Sequence, residues 1–202
     1  MKIAIISGSH RRQSQSLKVA NHIQTVLNVS GVETWLYSLE DNPLPLWDEG
    51  VWDGAQNWVD LLTPLQEQLR SCDALVVITP EWHGQVPAGL KNFFLLFGKN
   101  EFSHKPAMIV SVSSGIGGSY PVAELRMSSY KNSRLCYIPE HVIIRDVETV
   151  LNEDKSKNDE RSDPYIRERL IWALNILQEY GKALKLVRDS GATETDKFGN
   201  GM

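Results

Sequence analysis

Four serines, two arginines and two glutamines fall within Ser7–Ser16, read SGSHRRQSQS. Hydroxyl, amide and guanidinium donors at that density suit an oxyanion, above all a phosphate ester. The apolar run Ile3–Ile6 precedes them, and a helical pattern begins near Leu17. The stretch therefore reads as strand, turn and helix N-terminus. There, free backbone N–H groups and partial positive charge favour a bound anion. An ordinary βα turn would read the same way, and taken by itself the stretch leaves ATP, a dinucleotide or sulfate open.

Two further segments carry groups of the same kind. Pro80-Glu81-Trp82-His83-Gly84 follows the apolar run Asp73–Thr79, and Ser113-Ser114-Gly115-Ile116-Gly117-Gly118-Ser119 follows Ala107–Val112. Trp82 could lie on a flat ligand or simply pack its own loop; a stacked ring adds only about 0.5–1.5 kcal/mol beyond its buried area. His83 could donate a proton, touch a substrate or do neither. The surroundings of His141 read as structural. Cys72 and Cys136 form no CxxC pattern, so buried free thiols are expected and no metal site is.

Composition limits the function classes. The 202 residues suit one domain, 1–188, with a disordered tail over 189–202. A formal net charge of −4 gives no general attraction to nucleic acid, which makes Arg11 and Arg12 a local feature on an acidic background. No apolar stretch approaches the roughly 20 residues of a membrane span. Lys2 is followed by only four apolar residues before Ser7, unlike a signal peptide. A cytoplasmic protein is expected.

The elements that must position these residues alternate. Lys2–Ser7 is a solid, doubly buried strand. Ser14 or Ser16 caps a helix whose face carries Leu17, Ala20, Ile23 and Leu27, and Gly31 ends it. Glu33–Leu39 is the second strand, with Trp35 and Tyr37 on one face and Leu36 and Leu39 off it. The apolar connection 40–54, holding Pro43, Pro45, Trp47 and Trp52, is either functional or pinned down by its own tryptophans. Trp58–Arg70 is helical, and Thr63-Pro64-Leu65-Gln66 predicts that it starts or kinks there. Asp73–Thr79 is the third strand, and Pro87 opens a helix carrying Leu90, Phe93 or Phe94, and Phe97. Ala107–Val112 is the fourth strand, followed by a helix from Pro121 to Asn132. The fifth strand is expected within Tyr137–Val147, at His141–Val147, and residues 153–163 form a charged, solvated loop. Asp163-Pro164 is placed at the start of a last helix with Ile166, Leu170, Leu174 and Leu177 on one stripe.

Five strand–helix alternations imply an α/β fold with a parallel five-stranded sheet of order 2-1-3-4-5 and helices on both faces. Ligands of such sheets bind beyond the carboxyl ends of the strands. The three loops would meet there. The first lacks both GxxxxGK[ST] and GxGxxG, so it fits neither a P-loop nor a standard dinucleotide site. Its hydroxyls and arginines fit a terminal monophosphate instead.

Together the motifs resemble the NADPH-dependent FMN reductase family of flavodoxin-like quinone and azo reductases. Gly8-Ser9-His10-Arg11-Arg12-Gln13-Ser14 is similar to its GSxRxxS phosphate loop. Pro80-Glu81-Trp82-His83 with Val86-Pro87-Ala88-Gly89-Leu90-Lys91-Asn92 is similar to PEYN followed by (I/V)PxxLKN. Ser114-Gly115-Ile116-Gly117-Gly118 matches its glycine-rich third loop, and Leu44-Pro45-Leu46 its LPL segment. The resemblance covers about residues 2–147 and implies a flavodoxin-like three-layer sandwich. It places the FMN phosphate on Ser9, Arg11, Ser14, Gln15 and Ser16; either arginine could instead be a plain surface residue, Arg12 more so than Arg11, since one side of the loop must face solvent. Pro80, Glu81, Trp82, His83 and Gly84 would border the isoalloxazine largely through backbone groups, with Ser114, Gly115 and Gly118 beside it. The chain departs from the family at Trp82-His83, where Tyr-Asn is common.

The resemblance also implies a chemistry. NADPH or NADH would give hydride to flavin N5 and leave, and a quinone, azo compound or other small acceptor would then take the same place, a ping-pong scheme with no protein nucleophile. Trp82 and His83 would be substrate contacts. A homodimer or homotetramer is implied as well, with the Trp47–Trp58 segment as the expected contact surface. A flavodoxin-like electron carrier that does not oxidise NADPH is the alternative; such carriers tend to be more acidic and to lack the paired arginines. A non-flavin protein holding another phosphate ester is a second.

Overall fold

The computed structural model describes residues 1–200. Five strands, β1 (Lys2–Ser7), β2 (Glu33–Ser38), β3 (Ala74–Pro80), β4 (Pro106–Val112) and β5 (Cys136–Ile144), form one sheet in the order β2-β1-β3-β4-β5. All four pairings are parallel. The helices are α1 (Gln15–Val29), α2 (Gly50–Asp53), α3 (Gln56–Ser71), α4 (Ala88–Leu96), α5 (Lys99–Phe102), α6 (Ser119–Met127) and α7 (Ser162–Asp189).

Side-chain alternation along the central strands divides the core into two. Ile3, Ile5, Val76 and Ile78 face α1 and α7, meeting Val19, Ile23, Leu170 and Leu174. Ala4, Ile6, Leu75 and Val77 face the other layer, meeting Leu62 and Leu69 of α3, Phe93 of α4 and Leu125 of α6. β3 and β4 are buried along their whole length, as expected of strands covered on both faces. The result is the three-layer, flavodoxin-like arrangement, and among the described residues no helix is long and apolar enough to cross a membrane.

Several boundaries differ from expectation. β5 begins at Cys136, since Pro139, which cannot donate to a ladder, is tolerated on an exposed edge, and it ends at Ile144, before the left-handed Asp146 (φ 45°) turns the chain. Leu39 packs with Trp35 and Tyr37, and Leu36 lies on the opposite face, as a period of two requires. α3 neither starts nor stops at Pro64, which sits inside it. The carbonyl that loses its partner there belongs to Asp60, an exposed residue, and Thr63 Oγ1 donates one residue back, to Val59 O at 2.7 Å. α6 stops at Met127, well before Asn132. α7 starts one residue before Asp163, freeing that carboxylate for other partners.

The connection after β2 is pinned. Buried Asn92 of α4 accepts from Trp47 N and donates to Pro45 O, both at 2.7 Å. Trp47 and Trp52 meet edge to face at 4.7 Å. Of the expected tail, residues 190–200 form turns and bends, and Arg134 donates to Phe198 O. Residues 201–202 lie outside the described residues.

Candidate functional site

The first loop leaves β1 with its backbone pressed against β3. Gly8 N donates to Ile78 O at 2.8 Å, and a Cβ on Gly8 would lie 2.6 Å from both that oxygen and Leu90 Cδ2. Only glycine fits, so Ser9 is delivered to the carboxyl end of the sheet without slack. Ser14 is the N-cap of α1, its Oγ accepting from Leu17 N at 3.1 Å. The N–H groups of Gln15 and Ser16 then have no partner within the helix. Ser16 Oγ and Gln15 Oε1 are buried and without partners too among the described residues. Ser9 Oγ accepts from Arg11 N at 3.3 Å, leaving its own proton to give.

The second loop leaves β3 and folds back at once. Trp82 and Gln85 exchange hydrogen bonds at 3.1 and 2.9 Å, closing a two-residue turn. His83 and Gly84 both have positive φ, 50° and 72°, as a type I′ turn demands. The N–H groups of Glu81 and Trp82 are engaged, by Val112 O and Gln85 O. Those of His83 and Gly84 have no partner among the described residues. Trp82 lies edge-on to His10 of the first loop, 4.6 Å between ring centres.

The third loop is held from both sides. Glu81 Oε2 accepts from Gly118 N at 2.5 Å, and a Cβ on Gly117 would lie 2.7 Å from Glu81 Oε1. Arg145 donates to the carbonyls of Ile116 and Gly117 at 2.7 and 2.9 Å. Ser114 Oγ donates to Glu148 Oε1 at 2.7 Å.

These loops enclose a cavity of about 240 Å³ lined by Ser9, Arg11, Ser14, Gln15, Ser16, Pro80, Glu81, Trp82, Ser114 and Gly115, joined by Val112 and Ser113. Three other expected residues are not on its wall. His83 points to solvent, Gly84 is in the turn, and Gly118 is tied to Glu81. Arg12 is turned away, its Nε 2.6 Å from Asp41, whereas the exposed Arg11 guanidinium has no partner among the described residues. Sequence reasoning placed Ser113 in the third loop without giving it a contact and passed over Val112, although its place at the end of β4 was a signal. It also passed over His10 and Arg145, which reach their targets only through the tertiary fold.

The donor set fits a phosphate group. An unpaired guanidinium, the Ser9 and Ser16 hydroxyls and two free N–H groups converge, and the buried Ser16 Oγ lacks a partner. Volume does not single this cavity out. A larger hollow over α4 and α6 has its two charges, Lys91 and Glu124, paired with each other. Among the described residues, no cluster of ligating side chains could hold a metal.

Known proteins resemble this chain in sequence and in fold. An NADPH azoreductase of Bacillus sp. (strain OY1-2) is 26% identical over 144 residues, 71% of this chain and 76% of its own. An FMN-dependent NADPH-azoreductase of Staphylococcus aureus is 26% identical over 172 residues, 85% and 91% of the two chains. Among solved structures, the flavoenzyme NAD(P)H:(acceptor) oxidoreductase FerB of Paracoccus denitrificans has a TM-score of 0.66 at 20% identity, covering 91% of this chain and 97% of that one. A flavodoxin from the Archaea has 0.51 at 9%, covering 89% and 99%. At those identities the two structures speak for the fold alone. The model of the NADPH-dependent FMN reductase family matches residues 1–149, and the chain belongs to that family.

Proposed function

We propose that the protein is an FMN-dependent NAD(P)H oxidoreductase that passes electrons to a quinone, azo compound or similar small acceptor by a ping-pong scheme. The observation that carries this reading is the buried, partnerless Ser16 Oγ at the N-terminus of α1, inside a cavity whose other walls come from the ends of β3 and β4. Arg11, Ser9, Ser14 and Ser16, with the N–H groups of Gln15 and Ser16, hold the phosphate. When bound, the flavin supplies the redox chemistry, taking hydride at N5 and passing its electrons on. The N–H groups of His83 and Gly84 are the donors available to steady negative charge at its N1–C2=O edge. Trp82, braced by His10, gives the reacting end an aromatic border. Glu81 acts by fixing the third loop. Assembly as a homodimer or homotetramer belongs to the same reading, as does a single folded unit over residues 1–188.

The double substitution Arg11→Ala with Ser14→Ala tests the grip. The wild type is expected to purify yellow, with flavin absorbance between roughly 370 and 450 nm, and to consume NADPH in the presence of a quinone or azo dye. The variant is expected to lose most of its flavin, whereas removing the cap alone costs about 1 kcal/mol of stability. Unchanged flavin content in the double variant would sink the assignment. Flavin without NADPH consumption would mark an electron carrier.

A further inference from the structure

One turn below the phosphate-facing end of α1, Lys18 reaches out of its helix. Its ammonium donates to Val147 O at 2.6 Å, Val150 O at 2.8 Å and Asn152 Oδ1 at 3.0 Å. An ammonium has three N–H donors, so all are committed to one short stretch of chain. That stretch follows β5 and in turn holds the third loop. Asp146 N donates to Gly115 O and Val147 N to Ser113 O, both at 3.2 Å, and Glu148 takes the Ser114 hydroxyl. It is also strained, since Asp146 and Leu151 are non-glycine residues at φ 45° and 58°. A strained segment keeps its shape only where its surroundings insist on it. A second anchor lies on α7, where Asp163 accepts from Leu151 N at 2.7 Å and pairs with Arg167 at 2.8 Å.

We propose that Lys18 is a positioning residue for the cofactor, locking the helix that holds the phosphate to the segment that carries the third loop. The inference rests on the FMN reading above. Lys18 lies on no wall of the cavity formed by the three loops. It acts by fixing the spacing between Ser9–Ser16 and Ser113–Gly115 before FMN arrives, so binding need not supply the entropy of ordering them.

The test titrates flavin-free protein with FMN, followed by quenching of flavin fluorescence. It adds amide hydrogen exchange on the same flavin-free samples. Lys18→Met is expected to raise the Kd for FMN at least tenfold and to speed exchange in both 147–152 and 113–118. Lys18→Arg is expected to recover part of the affinity, because a guanidinium still donates to the Val147 and Val150 carbonyls. Asn152→Ala removes one acceptor of Lys18, together with the amide donor to Glu148 O and Lys157 O, and is expected to raise the Kd in the same direction; it carries the test if Lys18→Met fails to fold. An FMN Kd within twofold of wild type in Lys18→Met, or in Asn152→Ala if it alone folds, overturns the proposal. So does a raised Kd with unchanged exchange across 113–118, which would mean the loop was never held through Lys18. A wild type that binds no FMN removes the underlying reading as well, whereas a wild type and a Lys18→Met that bind alike sink this inference alone.

Discussion

Single residues decide the cavity because most of its polar groups have one spare bond to give. The serines were legible in the sequence, since hydroxyls at a helix N-terminus have a function that spacing reveals. His10 and Arg145 were not, because their partners lie some 72 and 29 residues away and nothing local announces them. His22 shows the same limit. It sits on α1 with Nε2 buried and partnerless and Nδ1 3.5 Å from Arg167. Burial, then the Arg167 charge, lowers its pKa below the usual 6.5, with Asp163 opposing. The unfolded chain therefore takes up a proton on this histidine more readily than the folded one. Its contribution is complete above about pH 6.5 and is lost as pH falls toward the folded pKa. Urea unfolding at pH 7.5 and 5.5 is expected to show a larger acid loss for wild type than for His22→Gln. Some slope remains in the variant, because His104 is lowered by burial as well. Equal losses in both proteins would refute the assignment.

At the scale of elements, the strong periodicities were legible and the punctuation was not. β1, β3 and β4 are unbroken apolar runs, and each falls within a residue of its expected limits. Pro64 misled because a proline's cost depends on what faces the missing N–H, and in α3 that is the solvent beside the exposed Asp60. Pro64 still sits in a helix interior, where proline is about 3 kcal/mol less favourable than alanine. Pro64→Ala is therefore expected to raise stability by about 1–3 kcal/mol in urea unfolding, without altering flavin content. A destabilised variant would show that the proline shapes the helix to its core contacts.

For the molecule as a whole, the order of the sheet was legible because alternation, burial and the handedness of crossovers leave few ways to thread five parallel strands. Its outer surface was less so. The tryptophans of the segment 47–58 were expected to form a contact surface together, yet Trp58 is in the core, 3% exposed, while Trp52 is 79% exposed. A pattern of apolar residues does not say which of them the fold will use. What remains outside, Leu46 and Trp52 beside Trp47, is the patch on which we place self-association. Sedimentation is expected to show a dimer or tetramer, weakened by Trp52→Glu; a lone wild-type protomer at micromolar concentration would dismiss that assembly.

The turn at Trp82–Gln85 has one more consequence. Its left-handed backbone acts as a filter on identity at position 83, admitting asparagine, histidine or glycine and penalising β-branched side chains. The histidine found here in place of the family's usual asparagine therefore passes the same conformational gate while presenting a different group to the solvent. Variation at this point is free to alter what an incoming molecule meets without disturbing the N–H groups behind it, so chemistry and scaffold can diverge independently within a single residue.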